Sequence, residues 1–206
     1  MYTGTTALEH AVRRPRPGRL LLIATHGEYV LPSEDAAFDD PLVRSRLILA
    51  GGNHLPRSPL LYVDPEGGVR EEREDGQAPL GNGMLTAYEI TGLDLRGAEM
   101  VQLVACQTGL GDLDPQGVAG LRQAFVLAGA ESLMASLWEV PANETVAQFD
   151  TFYDHWLGSD DTEPAVNRYE AFRRSQQTAL SDARERLGTG HPFFWAGFVY
   201  VGDPGE

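Results

Sequence analysis

Three features of the 206-residue sequence predict an α/β fold, a mostly parallel sheet with helices on both faces in a single domain. Arg19 to Thr25 is a continuous apolar run too short for a buried helix, Ala98 to Cys106 reads as a second buried strand, and Ser132 to Val140 has strand character. Between them lie segments whose apolar residues recur at helical spacing. Strand and helix patterns alternate along the chain, as they do where parallel strands are joined by helical crossovers.

The elements follow in order. Thr5 to Arg14 puts Leu8, Ala11 and Val12 on one helical face, and Pro15, Pro17 and Gly18 then stop the helix. Arg19 to Thr25 is expected as a central, parallel strand delivering His26 and Gly27 at its C-terminal end. Ser45 to Gly51 and Pro59 to Pro65 read as two shorter strands and a candidate hairpin. Asp64 to Pro79 is charged, carries glycine and lacks an apolar period, and reads as a flexible excursion. Thr86 followed by Glu89 has the spacing of a capping box, with Gly92 closing a short helix. Val118, Leu121, Phe125 and Ala128 mark a helix ending at Gly129. From Pro141, a helix shows Val146, Phe149, Tyr153 and Trp156 on one face. A longer one carries Val166, Tyr169, Phe172, Ala179, Ala183 and Leu187. Pro192 to Asp203 reads as an aromatic-rich strand.

Composition narrows the function. A net charge of −14 disfavours nucleic acid and anionic membrane surfaces, which reward clustered positive charge. All 16 basic residues are arginines, so no lysine can serve as a phosphate-loop, Schiff-base or general-base residue. The one cysteine makes neither an internal disulfide nor a thiolate metal cage, and a free thiol suits a cytoplasmic setting. No apolar run is long enough for a membrane span, and the start lacks the order of a secretory signal. His10, His54, His155 and His191 lack metal-ligand spacing, so no metal is expected. The glycine pairs at 51–52 and 81–83 read as turns, so no nucleotide or other cofactor is expected either.

The chemistry concentrates at His26 and Cys106, each at the end of a strand-like run. Ligands of such sheets gather at the carboxyl ends of the strands. If the two strands are parallel neighbours, imidazole and thiol share one edge, and a histidine there raises the thiolate fraction of a group whose ordinary pKa is about 8.5. Gly27, without Cβ, lets a substrate carbonyl approach, so its amide and that of Cys106 could bind an oxyanion. Residue types alone leave a second reading open, in which Cys106 is a buried filler and His26 is structural.

Four stretches together resemble the CHAT-domain peptidases, caspase-like proteins related to separases, caspases and metacaspases. They are LLIATHG (residues 21–27), LTAYEITGLDLRGAEMVQLVACQTGLGD (85–112), GVAGLRQAFVLAGAESLMASLWEV (117–140) and PFFWAGFVYVGD (192–203). The resemblance implies a caspase-like fold for residues 1–206, His26 as general base, Cys106 as nucleophile, and the amides of Gly27 and Cys106 as oxyanion donors. It also implies a protein or peptide substrate and a tetratricopeptide-repeat segment, upstream or separate, as activator. Val104 stands where relatives carry a polar or charged residue, so aspartate selection is not expected. Asp112, Asp114 or Glu139 could select a basic residue, or lie as solvated rim carboxylates, and Trp138 could wall the substrate pocket. Arg70 or Arg73 in the charged excursion is a candidate self-cleavage site. The reading is therefore a cysteine endopeptidase. A catalytically weak peptide-binding or signalling module, or an acyl transferase on a similar sheet, are the alternatives.

Overall fold

The computed structural model describes residues 12, 18–29, 40–49, 61–63, 69–71, 83–106, 115–158 and 164–206. The strands are β1 (Leu20–Tyr29), β2 (Ser45–Ile48), β3 (Leu61–Val63), β4 (Val69–Glu71), β5 (Met84–Thr86), β6 (Met100–Cys106), β7 (Ser132–Ser136) and β8 (Phe198–Gly202). The helices are α1 (Pro41–Arg44), α2 (Ala87–Thr91), α3 (Pro115–Leu127), α4 (Ala142–Leu157) and α5 (Arg168–Leu187). A six-stranded sheet runs in the order β5-β2-β1-β6-β7-β8. Its three central strands, β1, β6 and β7, are parallel, and the flanking strands β2, β5 and β8 run antiparallel to their neighbours.

Strand β6 shows why a continuous apolar run marks the middle of such a sheet. Its side chains alternate between two faces, and both faces are covered. Val101, Leu103 and Ala105 join Ile23, Leu47, Leu133, Ile90, Leu121 and Phe125 in one core, beneath α2 and α3. Val12, at the start of the described chain, packs against this core as well. Met100 and the partly buried Val104 join Met134, Phe149, Phe152, Phe172 and Phe198 in the other, beneath α4 and α5. Gly120 on α3 allows a close helix approach: a Cβ there would meet the Pro41 carbonyl oxygen at 2.9 Å.

The capping box is present as expected, with the Thr86 hydroxyl accepting from the Glu89 amide and the Glu89 carboxylate accepting from the Thr86 amide. Other expectations need correction. Strand β1 continues three residues beyond His26, because its antiparallel pairing with β2 outlasts its parallel pairing with β6. One of its faces is open: Leu22 is 49% exposed, and the core on that side draws no side chain from β1. The runs at 45–51 and 59–65 do not form a hairpin. Strand β2 pairs with β1 and β5, while β3 pairs with β4 in a separate two-stranded sheet. Part of the charged excursion is therefore a strand, and Arg70 lies within it opposite Tyr62; Arg73 lies outside the described residues. Pro192, without an amide proton, opens a 3₁₀ turn through Phe194, and β8 starts only at Phe198. Val146 and Leu187 follow the helical period but are exposed. The helix expected at residues 5–14 lies outside the described residues except for Val12.

Candidate active site

His26 and Cys106 are direct partners in the parallel β1–β6 ladder, the last of seven rungs that begin at Leu20 and Met100. Two apolar runs of similar length pair side by side, each giving one face to the core beneath α2 and α3. The first rung fixes the phase: the Met100 amide donates to the Arg19 carbonyl at 3.1 Å. Backbone groups of alternate residues face alternate neighbours, so those of β6 at 100, 102, 104 and 106 face β1. Those of β1 at 19, 21, 23, 25 and 27 face β6. The amides of Gly27 and Cys106 are thus directed into one gap, at the carboxyl end of the two strands.

His26 is exposed and Gly27 is buried. Gly27 lies inside the strand, opposite Leu47, rather than in a turn. Glu28 is tied to Arg46, its rung partner on β2, with Arg46 Nε donating to Oε2 at 2.8 Å. Its charge is engaged with a guanidinium beside the histidine.

Two hydroxyls flank the pair. The Thr25 hydroxyl donates to the Ile48 carbonyl. The buried Ser136 hydroxyl accepts from the Ala105 amide at 3.2 Å and donates to the Ala105 carbonyl at 3.1 Å. Neither residue stands out in the sequence; the signal would have been a hydroxyl inside an otherwise apolar strand beside a candidate catalytic residue.

Strand β7 ends at the same sheet edge, so Trp138 and Glu139 follow it there. Trp138 is half-buried and Glu139 exposed. Trp138 Nε1 is buried and has no hydrogen-bond partner among the described residues. Gly197 fits closely beside it: a Cβ there would come 2.3 Å from Val140 Cγ1 and 3.5 Å from Trp138 Nε1. The SLW and FWAGF stretches thus pack on each other. Val104 is half-buried against the α4–α5 core, turned away from the solvent role of a charge-holding residue. Asp112 and Asp114 lie outside the described residues. Among the described residues, no group of three or more His, Cys, Asp or Glu side chains is placed to hold a metal ion.

A helix-covered α/β sheet with a histidine-glycine pair in register with a cysteine, at the carboxyl ends of adjacent parallel strands, defines a caspase-like class of protein. The chain belongs to the CHAT-domain family, whose model matches residues 1–203. It is similar to tetratricopeptide repeat protein 28 of Homo sapiens, 28% identical over 147 residues. The same protein of Mus musculus is 28% identical over 148 residues. Each match covers 68% of this chain, and the chain spans 6% of the length of these curated relatives. No helix among the described residues is long and apolar enough to cross a membrane.

Proposed function

We propose that this CHAT domain, residues 1–206, is a cysteine endopeptidase acting through Cys106 and His26. The observation that carries the reading is the direct register of the two residues at the end of the parallel ladder. The Cys106 thiolate attacks the carbonyl carbon of a peptide bond while His26 holds the proton taken from sulfur. The tetrahedral intermediate collapses as its C–N bond breaks, His26 protonates the leaving amine, and a thioester remains. Water adds to the thioester with its proton passing to His26, and the acid product leaves as sulfur recovers a proton.

The amides of Gly27 and Cys106 serve the oxyanion. The direction of both into the gap between β1 and β6 supports that role. The last rung of the ladder and the incoming carbonyl compete for these donors, so substrate entry has to part that rung. Trp138 and Glu139 line the approach for a protein or peptide substrate. Glu139, Asp112 and Asp114 supply negative charge for a basic side chain before the cut. The free thiol operates in a cytoplasmic setting, under control of a tetratricopeptide-repeat segment in the same or another chain. The names of the related proteins support that last element. A second reading is a peptide-binding signalling module without turnover.

The rate of Cys106 alkylation by iodoacetamide against pH, in wild type and His26→Ala, tests the pair. The expected result is a thiol with an apparent pKa well below about 8.5 that rises in the variant, with peptide-library cleavage lost in Cys106→Ala. A slow thiol indifferent to His26 overturns the endopeptidase reading. An activated thiol with identical digestion patterns for wild type and Cys106→Ala favours the binding module.

A further inference from the structure

On one face of the sheet the helices stop short of β1. Helix α5 lies over the edge strand, where Gln176 Nε2 donates to the Phe198 carbonyl at 3.2 Å and Phe172 packs on Tyr200. Helix α4 comes next, over β6, where the Tyr153 hydroxyl donates to the Gln102 side chain. The rung partner of Gln102 on β1 is Leu22, and among the described residues no helix follows α4 across this face. The remaining helices pack on the opposite face, with Leu42, Ile90 and Leu121 in the other core. Leu20, Leu22 and Ala24 are therefore exposed, Leu20 at 37% and Leu22 at 49%.

Helix α4 supplies a wall for this floor. Its Ala147, Gln148 and Thr151 line the crevice shared with Ala179 and Ala183 of α5. Successive helical residues turn by about 100°, so Val146, Tyr153 and Leu157 lie on the flank turned away from α5 and toward β1. Val146 is 61% exposed and Leu157 60%, with Tyr153 half-buried between them. An apolar floor and an apolar wall thus meet where Tyr153 reaches β6. Single exposed apolar side chains are ordinary, whereas a contiguous set in one corner marks a binding surface. The next exposed residue along the floor is His26, so the corner opens onto the candidate site.

We propose that this corner binds the amphipathic helix of a protein partner, apolar on one face and basic on one flank. Packed helices lie about 8–10 Å apart and strands about 4.8 Å apart, so a helix seated beside α4 covers β1 and β2. Both edges of β1 are already paired, so an extended peptide finds no free backbone groups there. Charge selects the flank. Asp150 and Asp154 are exposed along the rim of the α4 wall, while Glu28 is engaged by Arg46. A second copy of this chain brings the same charge of −14 and is disfavoured by repulsion.

The test is a displayed library of helices, selected against the immobilised full chain. Leucine is fixed at helical spacing on one face, and the flanking positions carry Arg, Gln or Glu. Arginine is expected to be enriched along one flank. Selected helices, made as labelled peptides, should lose roughly tenfold or more in affinity for Leu22→Gln and for Leu157→Gln. Asp150→Asn with Asp154→Asn should weaken them most at low salt. Leu127, 59% exposed on α3 at the opposite face, provides the control, and Leu127→Gln should bind as wild type does. Circular dichroism checks that each variant is folded. Clones with no charge preference or an acidic flank overturn the inference, as does affinity unchanged in both Leu22→Gln and Leu157→Gln. An empty selection overturns it too, the result expected where a segment of this chain fills the corner. So does a dimer in sedimentation velocity that Leu22→Gln abolishes. Binding is read without turnover, so this inference and the endopeptidase reading fail by separate results.

Discussion

The Tyr153 hydroxyl on α4 donates to the side-chain oxygen of Gln102, which lies fully buried in the middle of β6. Burial pushes the Tyr153 phenol above its ordinary pKa, so it remains a donor through the neutral range. Gln102 Nε2 has no hydrogen-bond partner among the described residues. One polar bond thus crosses the core that seats α4 on the strand ending at Cys106.

Removing one partner of that bond should cost more than removing both. Tyr153→Phe strands the Gln102 oxygen and is expected to lose about 1–3 kcal/mol. Adding Gln102→Met removes the buried amide and should recover most of the loss. Urea denaturation of the four proteins of the cycle measures the coupling; strictly additive losses would sink the idea.

Acid should weaken the fold through two surface carboxylates. Hydrogen bonds from Arg173 and Arg174 hold the Glu170 carboxyl at about 2, down from 4.5, at the start of α5. A hydrogen bond from Arg96 holds Asp94 at about 2, down from 3.8. As pH falls, the unfolded chain takes up these protons before the folded one does. The contribution is complete above the unfolded values and is lost between about pH 4.5 and pH 2. Melting curves across that window should fall less steeply in Glu170→Gln with Asp94→Asn. High salt should shrink the difference, since both groups are exposed. Parallel wild-type and variant profiles at low salt would contradict the assignment.

Two glycines with positive φ should respond differently to alanine. Gly188 caps α5 at φ 66°, and a Cβ there meets nothing within 4 Å. Only the left-handed backbone opposes the change, at about 1–2 kcal/mol. Gly202 ends β8 at φ 109°, where a Cβ would lie 2.3 Å from the Glu131 carbonyl oxygen. Strain and overlap with backbone should bring its cost to about 3 kcal/mol or more. Chemical denaturation showing equal losses would argue against the described path of β8.

Much of the fold was legible because it rests on near neighbours. The apolar runs of β6 and β7, the capping box at Thr86 and the glycine end of α3 each depend on residues a few positions apart. Elements that exist through pairing were harder to see. Met84–Thr86 is a strand because Arg46, Leu47 and Ile48 lie beside it, and three residues carry no period of their own. Val69–Glu71 is a strand through Leu61–Val63 in the same way. The aromatic run from Pro192 promised more strand than it delivers, since its proline favours a turn and pairing with β7 begins only at Phe198.

The site divides along the same line. Histidine before glycine after one apolar run, and a single cysteine closing another, could be read from the chain as the groups capable of covalent catalysis. Their alignment could not, because the register that sets His26 opposite Cys106 is a property of two strands far apart in sequence. Nor could the place of Ser136, whose hydroxyl bonds the amide and carbonyl of Ala105 on a strand far away in sequence. Short-range chemistry belongs to residue type and spacing. Long-range register and the gaps it leaves arise only when the whole sheet assembles around its two cores.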